Sequence, residues 1–381
     1  MSNVYFDHNA TTALDPRVLD VMLPWMREQS GNPTSRHIFG RTARTAIEHA
    51  RAQVAEACGA YPSQVVFTSC GTEANNFAVK GIAANLAPSQ ILYSAIEHPC
   101  VSRPALMMRH QGYISKSIAV NEQGELDIAQ LETLLSAPTC LVSVMMANNE
   151  SGVIQDIAHI AEIAKRAGSF THTDAVQVLG KLTLSFNDLN VNAMTVSSHK
   201  IHGPQGAAAL ILDKRLDIQP LLHGGGQEKG LRSGTENVAA IVGFGKACEL
   251  AAANVKNFAV HTQALREQFE QGLKSLDVTL FSNKVARIPN TSFFAVAGVE
   301  GETLVMALDR KGFAVASGSA CSSDSTEPSH VLMAMGVHAD LARGAVRVSF
   351  GMHNTAQQVA DFLNTLKNEI LRLRQLTSIA A

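Results

Sequence analysis

The chemistry open to this chain starts at Lys200, which follows the apolar, strand-like run Ala193-Met194-Thr195-Val196 and precedes a Gly203-Pro204 turn. A lysine ending a buried strand is badly placed for a solvated charge. Desolvation lowers an amine's pKa toward the neutral form, which condenses with aldehydes to a Schiff base. Taken alone, the residue reads rather as a lysine snorkelling from a strand end. Ser69-Cys70-Gly71-Thr72-Glu73 joins a strand to a helix. Unpaired N–H groups and the dipole at a helix start favour an anion, Gly71 permits close approach and Thr72 adds a hydroxyl. Without Lys200 this segment reads as a plain β-to-α turn.

Asp174 follows a short strand in Thr171-His172-Thr173-Asp174-Ala175-Val176-Gln177. Its carboxylate can hold a proton on a ring nitrogen; the bland alternative is a helix N-cap. Gln177, three residues on, is expected to face the same way on a following helix. Glu97-His98-Pro99 offers His98 at a strand end as an aromatic lid. Asn148-Asn149-Glu150-Ser151-Gly152 puts amides after the strongest apolar strand, where open α/β sheets gather ligand groups. Arg347, near the end of the chain, can hold a carboxylate through a bidentate fork, or simply a salt bridge on a sheet face. An aldehyde-binding amine, a phosphate cradle, a carboxylate for a ring nitrogen and an aromatic lid are together what pyridoxal 5'-phosphate (PLP) requires.

The elements that position these groups follow from hydrophobic patterning. Residues from about 40 to 255 alternate short apolar runs with helical patterns, which predicts a mainly parallel α/β sheet. A helix is expected over Arg41–Cys58, ended by Gly59, and another from about Ala74 to Ala84. Strands are expected at Val65–Thr68, Ile91–Tyr93, Leu141–Met146, Ser169–Thr173, Met194–Ser197 and Ala207–Leu212. Beyond about 255 the pattern becomes that of a smaller α+β domain. It has a polar helix at Val260–Leu276, strands at Asn290–Val296, Phe313–Ala316 and Val346–Phe350, a helix at Glu302–Lys311 and a terminal helix. The expected organisation is a large domain at 15–255, with 1–14 and 256–381 forming the small one.

Composition is that of an ordinary soluble enzyme: 46% hydrophobic, 17% charged, net charge −2. So neutral a balance provides no field for nucleic acid or anionic membrane. No apolar run is expected to span a membrane, and no signal peptide opens the chain, so a cytoplasmic location is expected. None of the six cysteines forms a Cys-x-x-Cys pair, so no zinc or thioredoxin-like site is indicated. Cys58, Cys140 and Cys248 lie among apolar residues and read as small buried hydrophobes. Cys321 lies among small polar residues in Ala316-Ser317-Gly318-Ser319-Ala320-Cys321-Ser322-Ser323, where a lone thiol is better placed to react than to pack.

Almost from end to end the chain resembles the PLP-dependent cysteine desulfurases of the NifS/IscS class, within the class V aminotransferase group. The resemblance is carried by Tyr5-Phe6-Asp7-His8-Asn9-Ala10-Thr11-Thr12, Gly31-Asn32-Pro33-Thr34-Ser35 and Gly71-Thr72-Glu73-Ala74-Asn75-Asn76. Glu97-His98, Asn148-Asn149-Glu150, Asp174-Ala175-Val176-Gln177 and Ser197-Ser198-His199-Lys200 continue it. So do His223-Gly224-Gly225-Gly226-Gln227-Glu228, Arg232-Ser233-Gly234-Thr235-Glu236-Asn237 and the Cys321 loop with Glu327-Pro328-Ser329-His330-Val331-Leu332. The Ser-Gly-Ser-Ala-Cys loop is the most specific element.

The resemblance implies fold type I, with a seven-stranded-type sheet, and PLP carried on Lys200. It implies Thr72, Ser197 and His199 on the phosphate, with Thr235 supplied by the partner of a homodimer. Asp174 would pair with the pyridinium, Gln177 with the phenolic oxygen, and His98 would stack on the ring and move protons. Asn149 and Arg347 would hold the substrate carboxylate. The implied reaction converts L-cysteine to L-alanine, leaving sulfur as a persulfide on Cys321 for a protein acceptor in iron–sulfur assembly or thiolation. Two departures stand out. Asp324 adds a negative charge beside the thiol, and the chain stops soon after its last helix, without the longer tail by which housekeeping relatives dock a scaffold. Other PLP enzymes of the same fold (a selenocysteine lyase, a C–S lyase, an aminotransferase) and a non-catalytic sulfur relay remain as alternatives; persulfide transfer alone requires Cys321.

Overall fold

The computed structural model describes residues 3–318 and 327–380. The chain begins with β1 (Val4–Tyr5), α1 (Pro16–Arg27), α2 (Ile38–Ala57), β2 (Val65–Thr68), α3 (Gly71–Ala83), β3 (Gln90–Ser94), α4 (Pro99–Met107) and β4 (Ile114–Ile118). It continues with α5 (Ile128–Leu134), β5 (Thr139–Ser143), α6 (Ile157–Arg166), β6 (Phe170–Asp174), α7 (Phe186–Leu189), β7 (Ala193–Ser197), β8 (Ala208–Leu212) and α8 (Val238–Leu273). The remainder is β9 (Thr279–Leu280), β10 (Thr291–Ala295), α9 (Gly301–Asp309), β11 (Phe313–Ala314), β12 (Ala316–Ser317), α10 (His330–Ala334), α11 (Ala339–Arg343), β13 (Ala345–Ser349) and α12 (Ala356–Ala380).

A seven-stranded sheet in the order β2-β8-β7-β6-β5-β3-β4 forms the centre. From β7 to β4 every pairing is parallel, and only β8 runs against its neighbours β2 and β7. The expected mainly parallel α/β sheet is what forms. β2, β3, β5, β7 and β8 are buried along their whole length, so they read as apolar runs rather than alternating patterns. β4, at the sheet edge and half exposed, carries no such run and escaped the sequence reading. α2 buries Ala43, Ile47, Ala50 and Val54 along one stripe. Gly59 then turns left-handed at φ 59°, where a Cβ would lie 2.7 Å from Ser185 Cα, so only glycine fits.

A second sheet, β12-β13-β10-β9, is antiparallel throughout. It is packed by Phe6, Phe269, Phe294, Phe350 and Phe362, all fully buried. β1 pairs with β11, so the amino-terminal strand is fixed to the carboxyl-terminal part of the chain. The change of pattern near residue 255 falls inside α8, one continuous helix of 36 residues, and the polar helix expected at 260–276 is its last part. Ile241, Phe244 and Ala247 of α8 enter the core of the large sheet, while Leu265, Phe269 and Leu273 enter the second core. By length and composition α8 could cross a membrane, contrary to the sequence expectation. The apolar residues at its two ends pack into these two cores, while Val260 between them is exposed.

One buried ion pair ties the rim of the large sheet together. Arg51 forks onto Glu228 at 2.6 and 2.7 Å, and Glu228 also accepts from Phe67 N at 2.8 Å. Both side chains are almost wholly buried. Removing one partner strands the other charge in the interior, which costs far more than the pair contributes. Arg51→Met should therefore lower the unfolding free energy by about 3 kcal/mol, and pairing it with Glu228→Leu should restore most of that loss. Urea unfolding of the two variants checks this; a double variant no better than the single would show that the charge is not what matters.

Candidate active site

β6 and β7 end side by side, and the loops that follow them, the start of α3, the loop after β3 and the segment before α1 enclose a cavity of about 490 Å³. Lys200 closes the 3₁₀ turn Ser198–Lys200 after β7. Its Nζ donates to the carbonyls of Asn9 (2.5 Å) and Ala10 (2.7 Å). The same amino-terminal segment is held by Thr12, whose N–H and hydroxyl both donate to the His199 carbonyl. Lys200 is half-buried rather than sealed in an apolar pocket, which corrects the expectation of a desolvated strand-end amine. The fully desolvated lysine is Lys181, 3% exposed, which donates to Asn9 Oδ1 and Gln177 Oε1, each at 2.7 Å. Burial, reinforced by the charges of Lys200 and Arg347, lowers its pKa well below the ordinary lysine range. Nothing local marked Lys181, because its burial depends on Asn9, far away in sequence.

α3 starts at Gly71, three residues earlier than its apolar pattern suggests, so Gly71 and Thr72 occupy the first turn, where backbone N–H groups are unpaired. Cys70 caps it, its sulfur accepting from Glu73 N at 3.4 Å. A Cβ on Gly71 would sit 3.3 Å from Val176 Cγ2 and 3.9 Å from Ser197 Cβ, partly filling the cradle. Ser197 Oγ lines the same cavity, is buried, and has no hydrogen-bond partner among the described residues. A buried hydroxyl of this kind is costly unless something else satisfies it. His199 also lines the cavity, with Nδ1 3.1 Å from Thr11 Oγ1. The cradle fits a phosphate.

Burial, and then the charge of Lys200, lower the His199 pKa to about 4. The unfolded chain takes up this proton near pH 6.5 while the folded one resists until about 4, so the unfolded state binds more protons throughout that window. Relative to His199→Gln, wild-type stability should fall as pH drops from 6.5 to 4, and the two curves should run parallel at higher pH. Urea midpoints at about pH 7.5 and pH 5 test this, and a constant difference between the proteins would refute it.

Asp174 ends β6, 6% exposed. Its Oδ1 accepts from Val176 N (2.9 Å) and its Oδ2 from Asn75 Nδ2 (2.7 Å), which fix the carboxylate at the cavity wall. Asn75, on the buried face of α3, is a site residue that sequence reasoning quoted but gave no task. After Asp174 the chain makes a run of turns, not the expected helix. Gln177 still lines the cavity, but its Nε2 donates to the Asn9 carbonyl (3.0 Å) and its Oε1 accepts from Lys181. His98 lies beyond the end of β3 and caps α4, with Nδ1 accepting from Cys100 N at 3.2 Å. Burial is the main cause of its lowered pKa, with Lys200, His330 and Arg103 acting in the same direction and Asp174 opposing.

Arg347, on β13, is 4% exposed and lines the cavity opposite these groups. Its Nη2 donates to Asp7 Oδ1 (2.7 Å) and its Nη1 to the Asn149 carbonyl (3.0 Å), while Nε is buried with no partner among the described residues. The salt bridge and the cavity position considered as alternatives in the sequence therefore coexist. Asn149 lines the wall beside it. Thr235 does not: it is exposed, in the loop before α8, away from this cavity. Cys321, with Asp324, lies outside the described residues.

A lysine on a turn after a sheet strand, an anion cradle at a helix start and a carboxylate at the neighbouring strand end define, on this sheet, the fold type I class of PLP enzymes. Comparison with known proteins agrees. Residues 4–362 match the class-V aminotransferase family. The chain is 41% identical to a cysteine desulfurase IscS of Dictyoglomus turgidum, over 98% of its own length and 96% of the relative's. It is also 41% identical to a cysteine desulfurase of Enterobacter agglomerans, over 99% and 95%. A solved NifS-like protein superposes with TM-score 0.92 at 37% identity, covering 97% of this chain and all of that one. The NifS-like protein of Rickettsia africae gives 0.89 at 39%, covering 97% and 99%. The chain belongs to the class-V aminotransferase family, among its NifS/IscS cysteine desulfurases, and it is a PLP-dependent enzyme.

Proposed function

We propose that the protein converts L-cysteine to L-alanine and passes the sulfur, through a persulfide on Cys321, to a protein acceptor. The observation that carries this reading is the gathering of Lys200, Asp174, Ser197 and Arg347 around one cavity. A further solved relative, at 31% identity with TM-score 0.81 over 92% of this chain, is described as SspA in complex with cysteine.

PLP would supply an electron sink for the bond-breaking at the amino acid's α-carbon. In this reading Thr72, Ser197 and His199 hold its phosphate, Asp174 holds the proton on its ring nitrogen, and Gln177 lies near its phenolic oxygen. Arg347 and Asn149 orient the substrate carboxylate, Arg347 exchanging part of its contact with Asp7 for it. Lys200 would hold the cofactor, and its amine would take the α-proton. The Cys321 thiolate attacks the substrate sulfur: an S–S bond forms, the substrate's C–S bond breaks, and the electron pair left on carbon is protonated to give alanine. His98 serves proton movement above the ring. Thr235, exposed in one chain, suits a role across a homodimer interface. Cytoplasmic delivery of sulfur to iron–sulfur assembly or to a thiolation enzyme completes the reading.

Alanine and protein-bound persulfide formed from L-cysteine, measured for wild type and Cys321→Ala together, test it. Alanine from wild type with almost none from the variant is the expected result. Equal alanine from both would instead identify a C–S lyase that releases sulfide.

A further inference from the structure

Two cysteines among the described residues, Cys70 and Cys100, line the cavity, and the persulfide chemistry uses neither. Cys100 Sγ lies 2.8 Å from His98 Nδ1 and 3.0 Å from Asn75 Nδ2. Asn75 Nδ2 lies 2.7 Å from a carboxylate oxygen of Asp174, so it must be the amide's donor end, and its other hydrogen is free for the sulfur. The Cys100 backbone N–H can only donate, so His98 Nδ1, which receives it, must be an acceptor. With Nδ1 accepting, the neutral ring carries its hydrogen on Nε2. In the Sγ–Nδ1 contact the sulfur must then be the donor, so Cys100 is a thiol.

We propose that Cys100 is a positioning residue: its S–H, oriented by Asn75 from Asp174, donates to His98 Nδ1 and holds the histidine neutral with its proton on Nε2. A continuous hydrogen-bonded chain, Asp174–Asn75–Cys100–His98, thus links the carboxylate that would pair with the ring nitrogen to the imidazole on the cavity wall. The inference deepens the proposed function and rests on His98 facing the cofactor in this cavity.

The rival reading of the same contact is a Cys–His dyad, in which His98 takes the thiol proton and Cys100 becomes a nucleophile. Burial and the nearby carboxylates of Asp174 and Glu97 oppose it. They push the thiol far above its ordinary range, outweighing the Asn75 hydrogen bond that favours the thiolate. Around His98 itself, Lys200, His330 and Arg103 oppose a second ring proton and only Asp174 favours one. Protonation at Nδ1 would also set that hydrogen against the Cys100 backbone N–H.

The test is deuterium exchange at the C2 position of each histidine, followed by peptide mass spectrometry across a pH series on the PLP-loaded enzyme. This reads the His98 midpoint separately from turnover. In wild type it should lie below the ordinary histidine value of about 6.5. Cys100→Ala should raise it by about one unit, since the backbone donor remains, and Cys100→Ser, which keeps a donor, should hold it down. An alanine variant with an unchanged midpoint, or a serine variant that follows alanine, would overturn the proposal. Rapid alkylation of Cys100 at neutral pH would overturn it in favour of the dyad. Loss of alanine formation in wild type would remove the desulfurase reading while leaving the midpoint comparison readable.

Discussion

Lys200→Ala should abolish alanine formation from L-cysteine, with a loss of at least about a thousandfold, because in the proposed function the lysine would both carry the cofactor and serve as the base at the α-carbon. The loss should be chemical rather than structural. Removing Nζ costs the hydrogen bonds to the carbonyls of Asn9 and Ala10, among its contacts. The segment stays anchored by Thr12 on the His199 carbonyl and by Asn9, whose side chain accepts from Lys181 and whose N–H donates to Ser349 Oγ. Circular dichroism and the thermal midpoint should therefore stay close to wild type. Borohydride reduction followed by peptide mapping should place the cofactor on Lys200 in wild type and on no residue in the variant. A variant that turns over at even a tenth of the wild-type rate, or a wild type labelled at Lys181 instead, would show that the wrong lysine has been chosen. That comparison matters because Lys181 is the more deeply buried of the two.

Asp174→Asn should slow the reaction by about a hundredfold to a thousandfold, the size of effect seen when one fixed electrostatic contact to a reacting system is removed. The substitution keeps shape and discards charge. The new amide oxygen can still accept from Val176 N. On the other side the two amide groups can pair if Asn75 turns its Oδ1, which is buried and has no partner among the described residues, toward the new donor. The fold should consequently survive, with a thermal midpoint within a few degrees of wild type. What is lost is the negative charge that, in the proposed function, would keep the ring nitrogen protonated and the ring able to accept electrons. Steady-state alanine formation under saturating cofactor separates this from weakened cofactor binding. A rate within fivefold of wild type would mean that Asp174 serves only to order the turn at Val176.

The parts of this site legible in the sequence share one property: each is a local junction. Ser197-Ser198-His199-Lys200 is a strand running into a tight turn, Ser69 to Glu73 is a strand running into a helix, and Asp174 is the last residue of a strand. Apolar periodicity locates such junctions to within a few residues, and an α/β sheet collects them at one edge. The parts that stayed illegible are long-range. Asn9 meets Lys181 and Asn290, and Arg347 meets Asp7, across most of the chain. Cys100 looked like one more cysteine until α3 brought Asn75 against it. β4 hid because an edge strand needs no apolar run, and the continuity of α8 across the change of pattern near 255 hid because one helix serves two cores.

By itself, then, the sequence determined the mainly parallel character of the central sheet and the family, since both rest on local patterning and on motifs of contiguous residues. Only the tertiary structure decided which lysine is buried, which faces the cavity, and which donors Arg347 has to share. Those are matters of desolvation and hydrogen-bond partnership, and both are set by residues that become neighbours only when the chain has folded.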